Sequence, residues 1–509
     1  MAEYLAPGVF IEEIERGPRP IEGVSTSTAA FLGETERGQT WPRLVTNFND
    51  YRRYFGTGFA DGKFMPDSVS GFFENGGQRL YVCRIVGPGA TTATIDIGGL
   101  TITAAGPGEA GNRIFAKIVA SSTTRAGAPV GFRLQVAYWQ TPSPSGTYPD
   151  PFDPTQPRFP APTIREDFDD LVWDDPTSPD YFVRRLETAS ALVKVSAAVA
   201  LVALPAGGFT PLAGGGDATA APGLTEFKGE DADSTRRTGL SALELDEFRD
   251  VALVYAPAAA DDVAQEVFEH CERSKFRFAV IDAPKSSADV STITPRDNWD
   301  TSYAAFYYPW IGVADLRSGQ RKTVPPGGHV LGLYARTDVE RGVWKAPAND
   351  TLSGVFDLEY LVNDQMQQVL NPNGVNAIRR FPGRGIRVWG ARTLSSNSLW
   401  KYVSVRRLFI FLERSIYEGT QWVVFEPNDE RLWERVKDTL RLFLRTQWRN
   451  GALMGLTEDQ AFTIACDRST MTQDDILNGR LICEIGIAPV RPAEFVVFKI
   501  FQNTAEAQS

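Results

Sequence analysis

Short apolar runs bounded by Gly, Pro, Asn and Asp divide the chain, and their period assigns most of its elements. The last run, Glu494 to Gln502 (EFVVFKIFQ), is the most demanding. Phe495, Val496, Val497, Phe498, Ile500 and Phe501 occupy both parities, so neither face of a strand built from them tolerates water. Burying its three Phe rings is worth roughly 1.5 to 3 kcal/mol each. Such a strand calls for a sheet to receive it, either the subunit's own or that of a neighbouring copy by strand addition. A second terminal run, Gly8 to Ile14, carries Val9, Phe10, Ile11 and Ile14 between Pro7 and the Gly17, Pro18, Pro20 cluster, and also predicts a short apolar strand.

Between these ends the pattern predicts a strand at Thr28 to Gly33, a helix at Asn49 to Phe55 capped by Asn47 or Asn49, and a buried strand at Leu80 to Val86. Gly87 to about Leu240 is rich in Gly, Pro, Ala, Ser and Thr, with alternating strands at Thr94 to Ile97, Ile114 to Val119 and Phe132 to Tyr138. It predicts a β-rich insertion whose Pro- and Ser-rich tip, Thr141 to Pro162, is an exposed loop. Asp250 to Pro284 reads as a βαβ unit, with strands Val251 to Tyr255 and Phe276 to Ile281 around a helix capped by Asp261 or Asp262. A strand at Ala304 to Val313 precedes a helix from about Gly327 to Arg336. Further on, strands are expected at Asn376 to Arg380, Ile386 to Trp389, Trp400 to Ser404 and Trp422 to Phe425, and helices at Val405 to Glu418 and Asp429 to Asn450. Thr457 with Gln460 predicts a capping box, and Phe462 to Cys466 and Arg480 to Ile487 predict strands.

The 509 residues exceed what one hydrophobic core organises and imply about three domains. Formal net charge is −11, yet residues 375–450 hold 15 Lys plus Arg against 7 Asp plus Glu. The acidic total argues against general nucleic-acid binding, while the basic segment calls for an acidic partner, local or internal. Cys83, Cys271, Cys466 and Cys483 are too scattered for a disulfide framework and read as reduced core thiols. The first residues lack a basic region followed by an apolar stretch, so no secretory signal is expected and synthesis is expected in the cytoplasm. The longest apolar run, Val195 to Ala206, is about 12 residues, short of the ~20 that a membrane-spanning helix needs.

Several stretches resemble contractile tail sheath proteins of phage tails, pyocins and phage-like injection particles. They are LAPGVFIEEI, AAFLGETERG, FNDYRRYFG and GFFENGGQRLYVCRI near the amino end, and FYYPWIGVADLRSGQRKTVPPGGHVLGLYARTDVERGVWKAPAN in the middle. Near the carboxyl end they are FPGRGIRVWGARTLS, FEPNDERLW, FLRTQWRNGALMG and DDILNGRLICEIGIAPVRPAEFVVFKI, so only the insertion escapes the match. The resemblance implies a multidomain α+β and α/β fold. A discontinuous α/β core would come from the N- and C-terminal parts (21–86 and 351–490), with an α/β middle domain (241–350), a β-rich outer insertion (87–240) and linking arms at 1–20 and 491–509. It implies a structural subunit without catalytic residues or cofactors, stacked as six-fold rings around an inner tube, with baseplate and terminal cap proteins as further partners. The particle would be a phage tail or phage tail-like device released by lysis, neither inserted in a membrane nor bound to nucleic acid. Terminal arms would link each subunit into its neighbours' sheets, and Val9, Phe10, Ile11, Ile14, Phe495, Val496, Val497, Phe498, Ile500 and Phe501 are the candidate linking residues.

Candidate chemistry is sparse. Gly106, Gly108 and Gly111 imitate a dinucleotide fingerprint, but the following Ile114 to Val119 alternates like a strand, where the motif requires a helix. Gly58, Gly62 and Lys63 lack the spacing of a phosphate loop. His270 and His329 sit in separate elements, and His270 points about 100° away from Cys271 on a helix, so no metal centre or triad is expected. Asp169 with Asp170, Asp174 with Asp175 and Asp474 with Asp475 read as solvated faces or caps. One constellation stands out. At 100° per residue Arg431, Arg435, Arg441, Arg445 and Arg449 fall within about 120° of arc, opposite Leu432, Val436, Leu440, Phe443 and Leu444. A solvated basic face is the plain reading; with no matching acidic stripe on the helix, contact with an acidic inner tube is the functional one. Two competing readings are a nucleotide-binding α/β enzyme built on the βαβ unit and a nucleic-acid-binding protein using the Arg431 to Arg449 face.

Overall fold

A computed structural model describes residues 20–58, 62–197, 203–230 and 237–499. Val9, Phe10, Ile11, Ile14, Ile500 and Phe501 lie outside them. The chain divides into two compact units, one of residues 25–407 and one of residues 1–24 with 408–509.

In the larger unit, β1 (Ala29–Gly33), β2 (Arg43–Val45), α1 (Phe48–Phe55), α2 (Met65–Glu74) and β3 (Leu80–Arg84) come first. The next segment builds sheets of its own from β4 (Thr94–Ile97), β5 (Leu100–Ala104), β6 (Ile114–Ala120), the short pair β7 (Thr124–Arg125) and β8 (Ala128–Pro129), β9 (Phe132–Tyr138), β10 (Ile164–Leu171), α3 (Phe182–Ala189), β11 (Val193–Ser196) and β12 (Gly207–Pro211). One sheet runs β10-β9-β6-β12 and another β11-β5-β4. Leu100, Ile102, Ile118, Leu134, Val136 and Phe182 are among the side chains of their common core. The tip between β9 and β10 is only partly the exposed loop expected. Tyr148 and Phe152 fold back onto Phe115 and Trp139, and Trp139 Nε1 donates to Pro160 O at 2.9 Å, while Phe159 stays exposed.

After α4 (Leu224–Lys228) and α5 (Gly239–Ala242) the chain returns through β13 (Leu253–Tyr255), α6 (Asp261–Ser274), β14 (Phe278–Asp282) and β15 (Ala304–Tyr308). It continues through β16 (Ile311–Ala314), β17 (Arg321–Val324), α7 (Gly327–Arg341), β18 (Asp350–Thr351), β19 (Val355–Leu358), α8 (Asp364–Leu370), β20 (Val375–Phe381) and β21 (Gly385–Val388). Nine of these strands form one sheet in the order β18-β21-β20-β15-β14-β13-β1-β3-β2. From β20 to β3 neighbours are parallel, for example Ala29 opposite both Leu253 and Leu80, and antiparallel strands close each side. The wholly buried sequences AAFLG and AAFYY suit central parallel strands, covered on both faces. The segments assigned by sequence to a core (21–86), a middle domain (241–350) and the start of a carboxyl domain (351–490) therefore share one sheet. Pairing partners far apart in sequence leave no local trace, and the domain boundaries expected from the resemblance fall inside this sheet.

The PPGGHVLGLY stretch is explained by packing. It begins α7, whose residues from Gly327 to Ala335 are all buried. A Cβ at Gly328 would stand 2.4 Å from Ser68 O and one at Gly332 2.4 Å from Phe72 O, so α7 and α2 approach backbone to backbone. Only glycine allows that spacing.

Several local expectations need correction. The expected strand Ala304 to Val313 is two strands, split at Pro309, which has no N–H to donate. Trp400 to Ser404 is not a strand: a 3-10 turn at Ser398–Trp400 leads into α9 (Val403–Gly419). Trp422 to Phe425 is likewise a turn, with Gln421–Val423 in 3-10 form. Both runs are apolar but too short for period to separate strand from helical turn. Helix α6 begins after Ala260, with Asp261 and Asp262 in its first turn and not at its cap.

Candidate assembly interface

In the smaller unit, the amino-terminal approach runs beside the end of α9. Val24 N donates to Ser415 Oγ at 3.2 Å, and a Cβ on Gly419 would touch Ile21. α10 (Glu430–Arg449) starts where Asp429 accepts from Leu432 N at 2.9 Å. It buries Leu432, Trp433, Val436, Leu440, Phe443 and Leu444. Next come α11 (Glu458–Ala461), β22 (Phe462–Ala465), α12 (Gln473–Leu477) and β23 (Glu484–Ile487). The capping box expected of Thr457 and Gln460 is not formed: Thr457 makes no side-chain cap, and the Gln460 carboxamide accepts from Leu456 N at 2.9 Å.

β22 and β23 form a two-stranded antiparallel sheet, Phe462 opposite Ile487 and Ile464 opposite Ile485. Beyond it, 488–490 runs along 452–454, with Met454 N donating to Ala488 O (2.8 Å) and Val490 N to Ala452 O (3.2 Å). Two strands alone are marginal in water. Among the described residues neither strand has a second partner, so both edges offer open rows of N–H and C=O groups.

The described part of the terminal run pairs with no strand. Phe495 is 73% exposed, Val496 68%, Val497 76% and Phe498 85%. The sequence called for a strand buried on both faces, and here successive side chains on both parities face water. Leu456 and Phe425, exposed at 93% and 103%, add apolar surface that no periodic signal marked.

The arginine face of α10 is not without acids. Arg445 Nε and Nη2 reach the Glu458 carboxylate at 2.6 and 3.2 Å, and Arg441 Nε lies 3.6 Å from it. Arg435 pairs with Glu426 at 2.7 Å and Arg441 Nη1 with Asp438 at 3.4 Å. Hydrogen bonding from Arg445, then the charges of Arg445, Arg441 and Arg449, holds the Glu458 carboxyl below its usual range. Arg431 and Arg449 are exposed. The premise of a face without matching acids is thus corrected: Asp438 lies on the face itself, and Glu458 and Glu426 come from flanking segments, which a helix projection does not display.

Elsewhere the candidate groups are bound into the fold. His270 Nε2 lies 2.6 Å from Arg277 Nη1, and burial followed by the arginine charge lowers its pKa to about 3. His329 is buried against Gly71 in a separate element, and burial lowers it to about 4. Among the described residues no group of three or more His, Cys, Asp or Glu is placed to hold a metal ion. Gly106 and Gly108 precede a five-residue 3-10 turn that includes Gly111 and then β6. Lys63 pairs with Glu34. Asp475 caps α12 with Thr472, Asp175 binds the Thr177 turn, and Asp169 binds Ser122. At the strand ends of the βαβ unit, where a nucleotide would sit, Asp282 already accepts from the α7 amide of Gly327 at 2.9 Å. The cleft lined by Ala256, Ala259, Val280 and Asp282 has a volume of about 10 Å³, room for a single water. Among the described residues no helix is long and apolar enough to cross a membrane.

Comparison with known proteins gives two adjoining family matches: residues 215–394 match the phage tail sheath protein central domain and residues 395–503 the phage tail sheath C-terminal domain. A prophage major tail sheath protein of Pseudomonas aeruginosa (strain UCBPP-PA14) is 26% identical over 272 residues, 52% of this chain and 69% of that protein. The tail sheath protein of Burkholderia phage BcepMu is 25% identical over 237 residues, 43% of this chain but only 48% of the relative. The fold matches, with a TM-score of 0.59 and 23% identity, the sheath complex of an extracellular contractile injection system in its contracted state, over 99% of this chain and 100% of that one.

Proposed function

The chain belongs to the contractile tail sheath proteins, and from that premise we propose that it is a structural subunit that polymerises around an inner tube and contracts to drive the tube through a target envelope. The observation that carries this reading is the pairing of two unsatisfied features in one unit: a sheet of two strands with both edges open, and an apolar terminal strand with no sheet. Strand addition satisfies both at once if the terminal run of one copy completes the β22–β23 sheet of another. The amino-terminal run carrying Val9, Phe10, Ile11 and Ile14 would supply the other edge. Each subunit is then stitched to its neighbours by linkages that bend without parting while the 25–407 unit moves as a body, the requirement for a sheath that shortens. An extended form that stores energy and a contracted form that releases it make a two-state switch biased by interfaces.

The partners on this reading are further copies in six-fold rings, an inner tube protein, a baseplate and a terminal cap. Catalysis is not part of it, and Asp282 occupying the α7 amino terminus argues against the nucleotide enzyme. The arginine face of α10 is the tube contact. Exposed ion pairs contribute only about 0 to 1 kcal/mol, so Glu458 and Glu426 would yield to a denser acidic surface at little cost. Deleting Ala2 to Ile14 tests the stitching: soluble protomers that build no sheath are expected, and normal tubules from the truncated chain would refute it.

A further inference from the structure

Cys466 follows the last residue of β22 and Cys483 precedes the first of β23. Ala465 is registered on Glu484, so the next pair outward is Cys466 opposite Cys483. The bond from Ala488 N to Ala461 O (2.9 Å) marks 461/488 as a hydrogen-bonded pair. Alternation along an antiparallel ladder then makes 462/487, 464/485 and 466/483 non-hydrogen-bonded positions, where Cα atoms stand only ~4.5 Å apart. That separation lies inside the ~4.4 to 6.8 Å range of disulfides. The two thiols interact with each other through a side-chain hydrogen bond. Cys466 is fully buried and Cys483 half-buried. The Cys483 hydrogen bond, and after it the Lys437 ammonium on α10, holds the Cys466 thiol below its usual value against the opposing effect of burial. Cys83 and Cys271 are different: each is buried, and burial pushes its thiol up to about 12.

We infer that Cys466 and Cys483 are an oxidisable pair that closes into a disulfide across the end of the two-stranded sheet. Oxidised glutathione is a sufficient oxidant. The half-buried Cys483 loses its proton to solvent, and its thiolate attacks one glutathione sulfur. The glutathione S–S bond breaks, one glutathione thiolate leaves, and a mixed disulfide remains on Cys483. Cys466 then loses its proton to solvent, attacks the Cys483 sulfur and expels the second glutathione. Two protein thiols are oxidised, one glutathione disulfide is reduced, and the two departing thiolates take up the two protons. The bond closes the loop that carries α12 and ties β22 to β23 at the end away from 488–490. The chemistry stands on the hairpin alone. Its use, keeping the two strands together while neighbours pull on their outer edges, rests on the assembly reading above.

The test takes the purified full-length chain, equilibrates it with oxidised glutathione under native conditions, blocks free thiols with iodoacetamide, and maps the digest by mass spectrometry. A single intramolecular Cys466–Cys483 crosslink is expected, with Cys83 and Cys271 alkylated only after denaturation. C466S should leave glutathione attached to Cys483 with no internal crosslink. The lowest thermal transition should shift upward on oxidation in the native sequence and not in C466S. Alkylation of both Cys466 and Cys483 in the oxidised native sample, or crosslinks only between chains, would overturn the inference. Electron microscopy of the same sample separates the readings: rods built by a chain whose two thiols never join sink this pair and leave the sheath function standing.

Discussion

Asp282 ends β14 with its carboxylate accepting from Tyr255 Oη (2.7 Å), Ala258 N (3.1 Å) and Gly327 N (2.9 Å), and burial still pushes its pKa up to about 6. Because this lies above the unfolded value, the folded state holds the proton more tightly. The resulting stabilisation is complete below about pH 4 and is lost as pH rises through 6. Urea unfolding of the native chain and of D282N at pH 5 and pH 7 checks this. The stability advantage of the native chain over D282N should shrink by about 1 kcal/mol between the two pH values. An unchanged difference would contradict the assignment. Local polar chemistry of another kind was legible from sequence, since Asn47, one of the two residues expected there, caps α1. Groups whose partners are distant in sequence were not. Asp282 bridges to Gly327, and nothing in the spacing of Cys466 and Cys483 shows that they face each other until the strand register is known.

Elements with a strong apolar pattern, such as α6, α10 and the buried strands β1 and β3, were readable within a few residues. α2 was not, because Met65 to Phe72 is buried all round and so presents no amphipathic stripe. α10 shows the opposite limit: its two faces were correctly separated, yet a projection of one helix does not reveal acids that flanking segments bring to it. The replacement R441E/R445E/R449E sets a mutant face against an acidic tube. Glu458 would then repel residue 445 where it now pairs, but at a solvent-screened surface site where such pairs carry little stability. The protomer should therefore remain folded by circular dichroism while tube-bound assembly is lost; full-length particles from the triple variant would rule out the contact.

For the molecule as a whole, the terminal run reads as too apolar to stand in water, and the structure leaves Phe495 through Phe498 exposed while the β22–β23 sheet has no further strand among the described residues. Taken singly each feature is a liability, the strand for aggregation and the sheet for stability. On the proposed reading they complete each other in a polymer, where one copy supplies what the next lacks. The nine-stranded sheet and the β-rich segment need no such completion, since each has its own buried core. Electron microscopy of the full-length chain, compared with a chain ending at Ala493, tests this claim most directly. Striated rods from the full-length protein, and only soluble folded subunits from the shortened one, are the predicted result; rods of normal length from the chain ending at Ala493 would contradict the account.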